Sequence, residues 1–90
     1  MADHIDDLEN LRTSFVESCS KVVINQLLDD LLGDGVINDE EKESILENQS
    51  RANKARNLID VVRKKGNEAS RKMIVHFKQR DPMLFSELFT

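Results

Sequence analysis

The chain has 90 residues, 39% hydrophobic and 33% charged, with one proline and three glycines; this predicts one soluble domain spanning 1–90 and excludes collagen-like, low-complexity and disordered classes. No apolar run approaches the roughly 20 residues of a membrane span, no basic and apolar leader opens the chain, and the single cysteine, Cys19, excludes a disulfide framework or a cysteine-based zinc cluster. The net charge of -4 hides an asymmetry: residues 1–48 carry three basic against thirteen acidic residues, and residues 49–90 carry ten basic against four acidic.

In chain order, every apolar pattern has a helical period. Leu8, Leu11, Phe15 and Cys19 step by three or four and mark a first stripe. Ile24, Leu27, Leu28, Leu31 and Leu32 form a denser second stripe, stopped by Gly33-Asp34-Gly35. Asn38 and Glu41 have the spacing of a capping box and start a third helix, through about Asn48, whose few apolar residues leave it mostly exposed. Ala55, Leu58, Ile59 and Val62 predict a fourth helix closed by Arg63-Lys64-Lys65-Gly66, where cations suit the helix dipole. Ala69, Met73, Ile74 and Phe77 predict a fifth. Asp81-Pro82, an N-cap followed by proline at the first helical position, starts a short sixth helix carrying Leu84, Phe85, Leu88 and Phe89. No alternating strand pattern, linker or repeat interrupts this series, so the fold class is all-α, a bundle of about six short helices.

A core that needs nearly every apolar side chain leaves little room for a substrate pocket, which favours a binding module over an enzyme. Cys19 could pair with His4 or His76 as a nucleophile, but its place on the first apolar stripe reads as core, and His4 falls in a terminus expected to be loose. Residues 30–41 imitate a calcium loop: Asp30, Asp34, Gly35, Asn38 and Glu41 fit the spacing, while Leu32 occupies a position that requires an oxygen ligand. A turn followed by a helix cap explains the same residues, so no metal or other cofactor is expected. The basic residues of the second half lack tryptophan or tyrosine for base stacking, and the acidic half repels phosphate, which argues against nucleic acid. Protein partners remain, met through clusters of opposite sign.

Ile24-Asn25-Gln26-Leu27-Leu28-Asp29-Asp30-Leu31-Leu32 resembles the second helix of caspase recruitment domains. Val36-Ile37-Asn38-Asp39-Glu40-Glu41 is similar to the start of their third helix, Lys54-Ala55-Arg56-Asn57-Leu58-Ile59-Asp60 to their fourth, and Lys64-Lys65-Gly66 to the loop after it. Met1-Ala2-Asp3 and Asp81-Pro82 fit as well, and the nearest likeness is to inflammatory caspase prodomains and the short decoy proteins related to them. The resemblance implies a six-helix death fold with Greek-key topology, its first helix bent or broken, here over Glu17-Ser18-Cys19-Ser20-Lys21. It implies homotypic assembly in the cytoplasm with other caspase recruitment domains, as a homo-oligomer or filament, with no nucleic acid and no membrane. By position, the basic face would be Arg12, Arg51, Lys54 and Arg56, and the acidic face Asp29, Asp30, Asp34, Glu40 and Glu43. Ala52 and Glu47 depart from relatives that are basic there; the first departure centres the basic contact on Lys54 and Arg56. Two other readings stay open: a prodomain cut from a cysteine protease zymogen, and a calcium-responsive helix pair at 30–41.

Overall fold

Six helices follow one another with short connections in a computed structural model that describes residues 4–89. They are α1 (His4–Ser18), α2 (Lys21–Gly33), α3 (Asp39–Leu46), α4 (Arg51–Lys64), α5 (Asn67–Arg80) and α6 (Pro82–Leu88). No strand occurs among the described residues. Met1-Ala2-Asp3 and Thr90, which the single-domain expectation and the family resemblance included, lie outside them.

Local chemistry sets the boundaries. The Ser20 hydroxyl accepts the Val23 N–H at 3.2 Å and starts α2. The interruption expected over 17–21 is therefore present at Cys19 and Ser20, but it separates α1 from α2; α1 itself runs continuously from His4 to Ser18. Asn38 and Glu41 form the predicted capping box, each side chain accepting the other residue's backbone N–H at 2.8 and 3.0 Å. Asp81 caps α6 ahead of Pro82 by accepting the Leu84 N–H. Of the glycines that stop α2, Gly35 carries the left-handed backbone (φ 76°), and Gly66 does the same after α4 (φ 112°). His4 is not a loose end: it begins α1, and its backbone N–H donates to Asn67 Oδ1 at 2.8 Å.

The stripes meet in one core. Leu8, Leu11 and Phe15 of α1, with Cys19 just beyond it, join Ile24, Leu27, Leu28 and Leu31 of α2, Ala55, Leu58, Ile59 and Val62 of α4, and Met73 and Phe77 of α5. Full burial of each large aliphatic side chain contributes about 1.5–3 kcal/mol, set against the entropy of ordering the chain. α1 packs on α4 and α5, α2 packs on α5, and α6 closes the end of α1 and α5. α3 lies at the margin against α2 and α4, holding Ile45 inward and turning the rest of its surface to solvent, as its sparse apolar pattern indicated. This arrangement leaves α3 and one flank of α4 as exposed, charge-bearing surfaces. No helix among the described residues is long and apolar enough to cross a membrane.

Candidate functional site

The folded chain uses much of the charge asymmetry internally. Arg12 of α1 donates from Nε and Nη2 to both oxygens of Asp60 on α4, each at 3.0 Å. Arg80 of α5 grips Asp30 of α2 in the same two-pronged way at 2.8 and 2.7 Å. His76 Nε2 lies 2.5 Å from Asp34 Oδ2 and its Nδ1 lies 3.6 Å from Asp30. Lys42 of α3 reaches Asp29 at 2.7 Å, and Lys65 reaches Glu41 at 3.0 Å. Guanidinium–carboxylate forks are stronger and more directional than single contacts, so the α1–α4 and α2–α5 seams are pinned electrostatically as well as packed.

These pairs hold Asp60, Asp30 and Glu41 below the usual carboxylate range. The leading causes are hydrogen bonds from Arg12, Arg80 and Lys65 respectively, and Glu41 also gains from the Asn38 N–H. The unfolded chain therefore binds protons more readily than the native one at acidic pH. Their stabilisation is complete above the ordinary values of 3.8 for aspartate and 4.5 for glutamate and is lost as pH falls through the lower native values. Thermal melts followed by circular dichroism should show a melting temperature that drops progressively below about pH 4.5. Asp60→Asn should make that acid limb shallower; a wild-type melting temperature that rises on acidification would contradict these assignments.

Among the sequence-designated basic residues, Arg12 and Arg56 come together, lining with Thr13, Val16 and Glu17 a groove of about 260 Å³ between α1 and α4. Arg56 is exposed, and its guanidinium donates to Asn53 Oδ1 at 2.6 Å rather than to a carboxylate. Arg51 turns inward: Nη1 donates to the carbonyls of Val16 and Cys19, both at 2.7 Å, and Nη2 to that of Glu17 at 3.3 Å. It thus closes the C-terminal end of α1, where carbonyls lack helical partners. Lys54 and Arg56 are two residues apart on α4, about 200° around its axis, so they project to different flanks. Lys54 shares its flank with Val61, which lines a second cleft toward α3.

The acidic residues divide similarly. Asp30 and Asp34 turn to α5, and Asp29 leans on Lys42 while staying largely exposed. Glu40 and Glu43 stand outward on α3, and Glu47 follows one turn later on the same side. No cation pairs with these three among the described residues. Glu40, Glu41, Ser44, Glu47, Asn57 and Val61 line the open cleft, about 650 Å³, between α3 and α4. Sequence reasoning missed Asp60, His76 and Arg80 as partners of designated residues; their separations of 42–50 positions leave no local spacing signal.

The alternative chemistries take definite form. Cys19 is fully buried, and burial pushes its thiol up to about 12, with Asp81 adding to the rise and Arg51 opposing it; the thiol packs as a small hydrophobe. Within 30–41, Leu32 packs against the core, and Asp30, Asp34 and Glu41 face Arg80, His76 and Lys65. No group of three or more histidine, cysteine, aspartate or glutamate residues among those described is placed to hold a metal ion.

Comparison with known proteins decides the family. Residues 6–90 match the family model for the caspase recruitment domain. This chain is a caspase recruitment domain. It is 40% identical over 89 residues to human caspase recruitment domain-containing protein 18, covering 98% of this chain and 97% of that protein. It is 40% identical to horse caspase-1 over 98% of its own length and 44% identical to mouse caspase-1 over 90%. In those caspases the match spans 22% and 20% of the whole protein. The solution structure of ICEBERG, an inhibitor of interleukin-1β generation, superposes with a TM-score of 0.86 at 40% identity, over 97% of each chain. The recruitment domain thus has the six-helix death fold of a protein interaction module.

Proposed function

We propose that this recruitment domain binds other caspase recruitment domains, that of caspase-1 among them, by placing a basic surface of one copy against an acidic surface of the next. The basic surface is the α1–α4 flank carrying Arg12 and Arg56. The acidic one is the outer face of α3, with Glu40 and Glu43, together with Asp29 of α2. Arg51, given to the α1 carbonyls, contributes by fixing the α1–α2 junction, and Lys54 supplies charge from the other flank of α4.

The observation that carries this reading is the charge left at Arg56, Glu40 and Glu43 after internal pairing; Arg12 and Asp29, which flank them, already hold Asp60 and Lys42. Arg56 meets no carboxylate, while Glu40 and Glu43 meet no cation among the described residues. The two surfaces lie on different helices, so each copy can present both at once. A contact of this heterologous kind propagates when its rotation does not close, giving filaments on activation. The reading carries a cytoplasmic setting and neither nucleic acid nor membrane as partner. Such association serves a protease prodomain, where it gathers tethered catalytic domains, and equally a free-standing domain that occupies a caspase's docking surface.

The test is the affinity for a labelled mouse caspase-1 recruitment domain, kept below its own assembly concentration, as salt is raised. Screening shortens from about 10 Å at 0.1 M to about 3 Å at 1 M, so binding should weaken several-fold over that range, mainly through slower association. Binding that is unchanged or tighter in high salt would replace the charged surfaces with an apolar contact.

A further inference from the structure

Two of the carboxylates that the family pattern assigns to the acidic face are already occupied. Asp30, the last full turn of α2, has a side chain only 15% exposed and both oxygens held by Arg80. Asp34, at the C-cap of α2, accepts from His76 Nε2; a carboxylate can only accept, so that nitrogen carries the proton. Both donors come from α5, one helical turn apart, and their side chains cross the α2–α5 seam from outside the core. Asp29 and Asp30 are neighbours in sequence but project about 100° apart on α2. Asp29 faces Lys42 of α3, and Asp30 faces α5.

We propose that His76 and Arg80 form an intramolecular competitor for the α2 end of the acidic surface, so that a cationic partner must displace them before it can engage Asp34 and Asp30. This rests on the reading of the domain as a binder of basic recruitment-domain surfaces. α5 offers Asp34 the same chemistry as the partner does, an N–H donor beside a cationic neighbour, and does so at no cost in association entropy. Docking accordingly begins on α3 and Asp29, whose direct ion pair is with Lys42 rather than with α5, and extends along α2 only as the clasp opens. Of the two contacts, His76–Asp34 is the one free to open. Asp34 is 37% exposed and ends its helix, whereas opening Arg80 would strand a mostly buried Asp30 charge.

The experiment is a double-mutant cycle on binding to the mouse caspase-1 recruitment domain, with circular dichroism melts as the folding control. A surface polar contact is worth a factor of up to roughly 5, so His76→Gln should tighten binding about two- to five-fold. Asp34→Asn should change wild-type affinity by less than about 1.5-fold, yet cancel the gain in the His76→Gln background. A merely structural role for His76 would not produce that coupling. Equal effects of Asp34→Asn in both backgrounds, or weaker binding by a well-folded His76→Gln variant, would overturn the proposal. Glu43→Lys separates the two levels. If it abolishes binding while the cycle shows no coupling, the acidic surface stands and the competitor does not. If Glu43→Lys binds like wild type, or neither wild type nor His76→Gln binds, the underlying reading fails, and the competitor with it.

Discussion

Phe77→Ala should cost about 3–5 kcal/mol of folding stability, the range for truncating a buried phenylalanine. Phe77 is 1% exposed and joins three helices. Its ring meets Phe15 of α1 edge-on, with centroids 5.2 Å apart, and Phe85 of α6 at 6.0 Å, tilted 70°. Truncation removes both aromatic contacts and leaves a cavity where α1, α5 and α6 converge. Neighbouring helices are held by other packing and cannot collapse fully into that space. A domain of this size has only about 5–15 kcal/mol of net stability, so a loss of this order lowers the melting temperature by about 12 °C or more. Val75→Ala, two residues away on the exposed side of α5, should change stability by within about 0.5 kcal/mol. A Phe77→Ala loss below about 1 kcal/mol by chemical denaturation would contradict the packing described here.

The burial of Phe77 is legible in the sequence, because helical period records which side of a helix faces the core. The stripes through Leu8, Leu27, Leu58 and Met73 all reached the core. The Asn38–Glu41 box and the Asp81 cap were legible for the same reason: capping is a contact between residues three apart. The ends of α1 were less so. The serines flanking Cys19 signalled an interruption, but whether it bends one helix or divides two depends on what Ser20 caps. His4 read as loose because its tether, Asn67, is 63 residues away.

The charged surfaces show the limit most sharply. Sequence gave the sign of each region and the family pattern gave positions, but neither says which flank of one helix meets which flank of another. Arg12 found Asp60, Arg80 found Asp30, and Arg51 found the carbonyls ending α1 only once the helices were packed. Neighbours such as Lys54 and Arg56 then part company because a helix turns about 100° per residue. What is left for partners is the charge that folding does not use.

Charge reversal at the unpaired residue of either surface should abolish growth of assemblies while leaving the fold intact. Arg56→Glu places a carboxylate in the groove beside Glu17, and Glu43→Lys puts a cation into the α3 stripe. Each variant keeps one competent surface and spoils the other, so like charge meets like at every self-contact. Exposed substitutions of this kind usually alter stability by within about 0.5 kcal/mol, and Glu43 has no ion pair to lose among the described residues. Mixed, the two variants recover one productive pairing: the intact basic surface of Glu43→Lys against the intact acidic surface of Arg56→Glu. Both outer surfaces of that pair are spoiled, so growth stops at two.

The most direct measurement is therefore size-exclusion chromatography with light scattering on wild type, on each variant and on their equimolar mixture, at low salt and matched concentration. The account predicts assemblies from wild type, monomers from each folded variant alone, and a heterodimer from the mixture. Assemblies of wild-type size from both variants alone would show that Arg56 and Glu43 do not carry the contact.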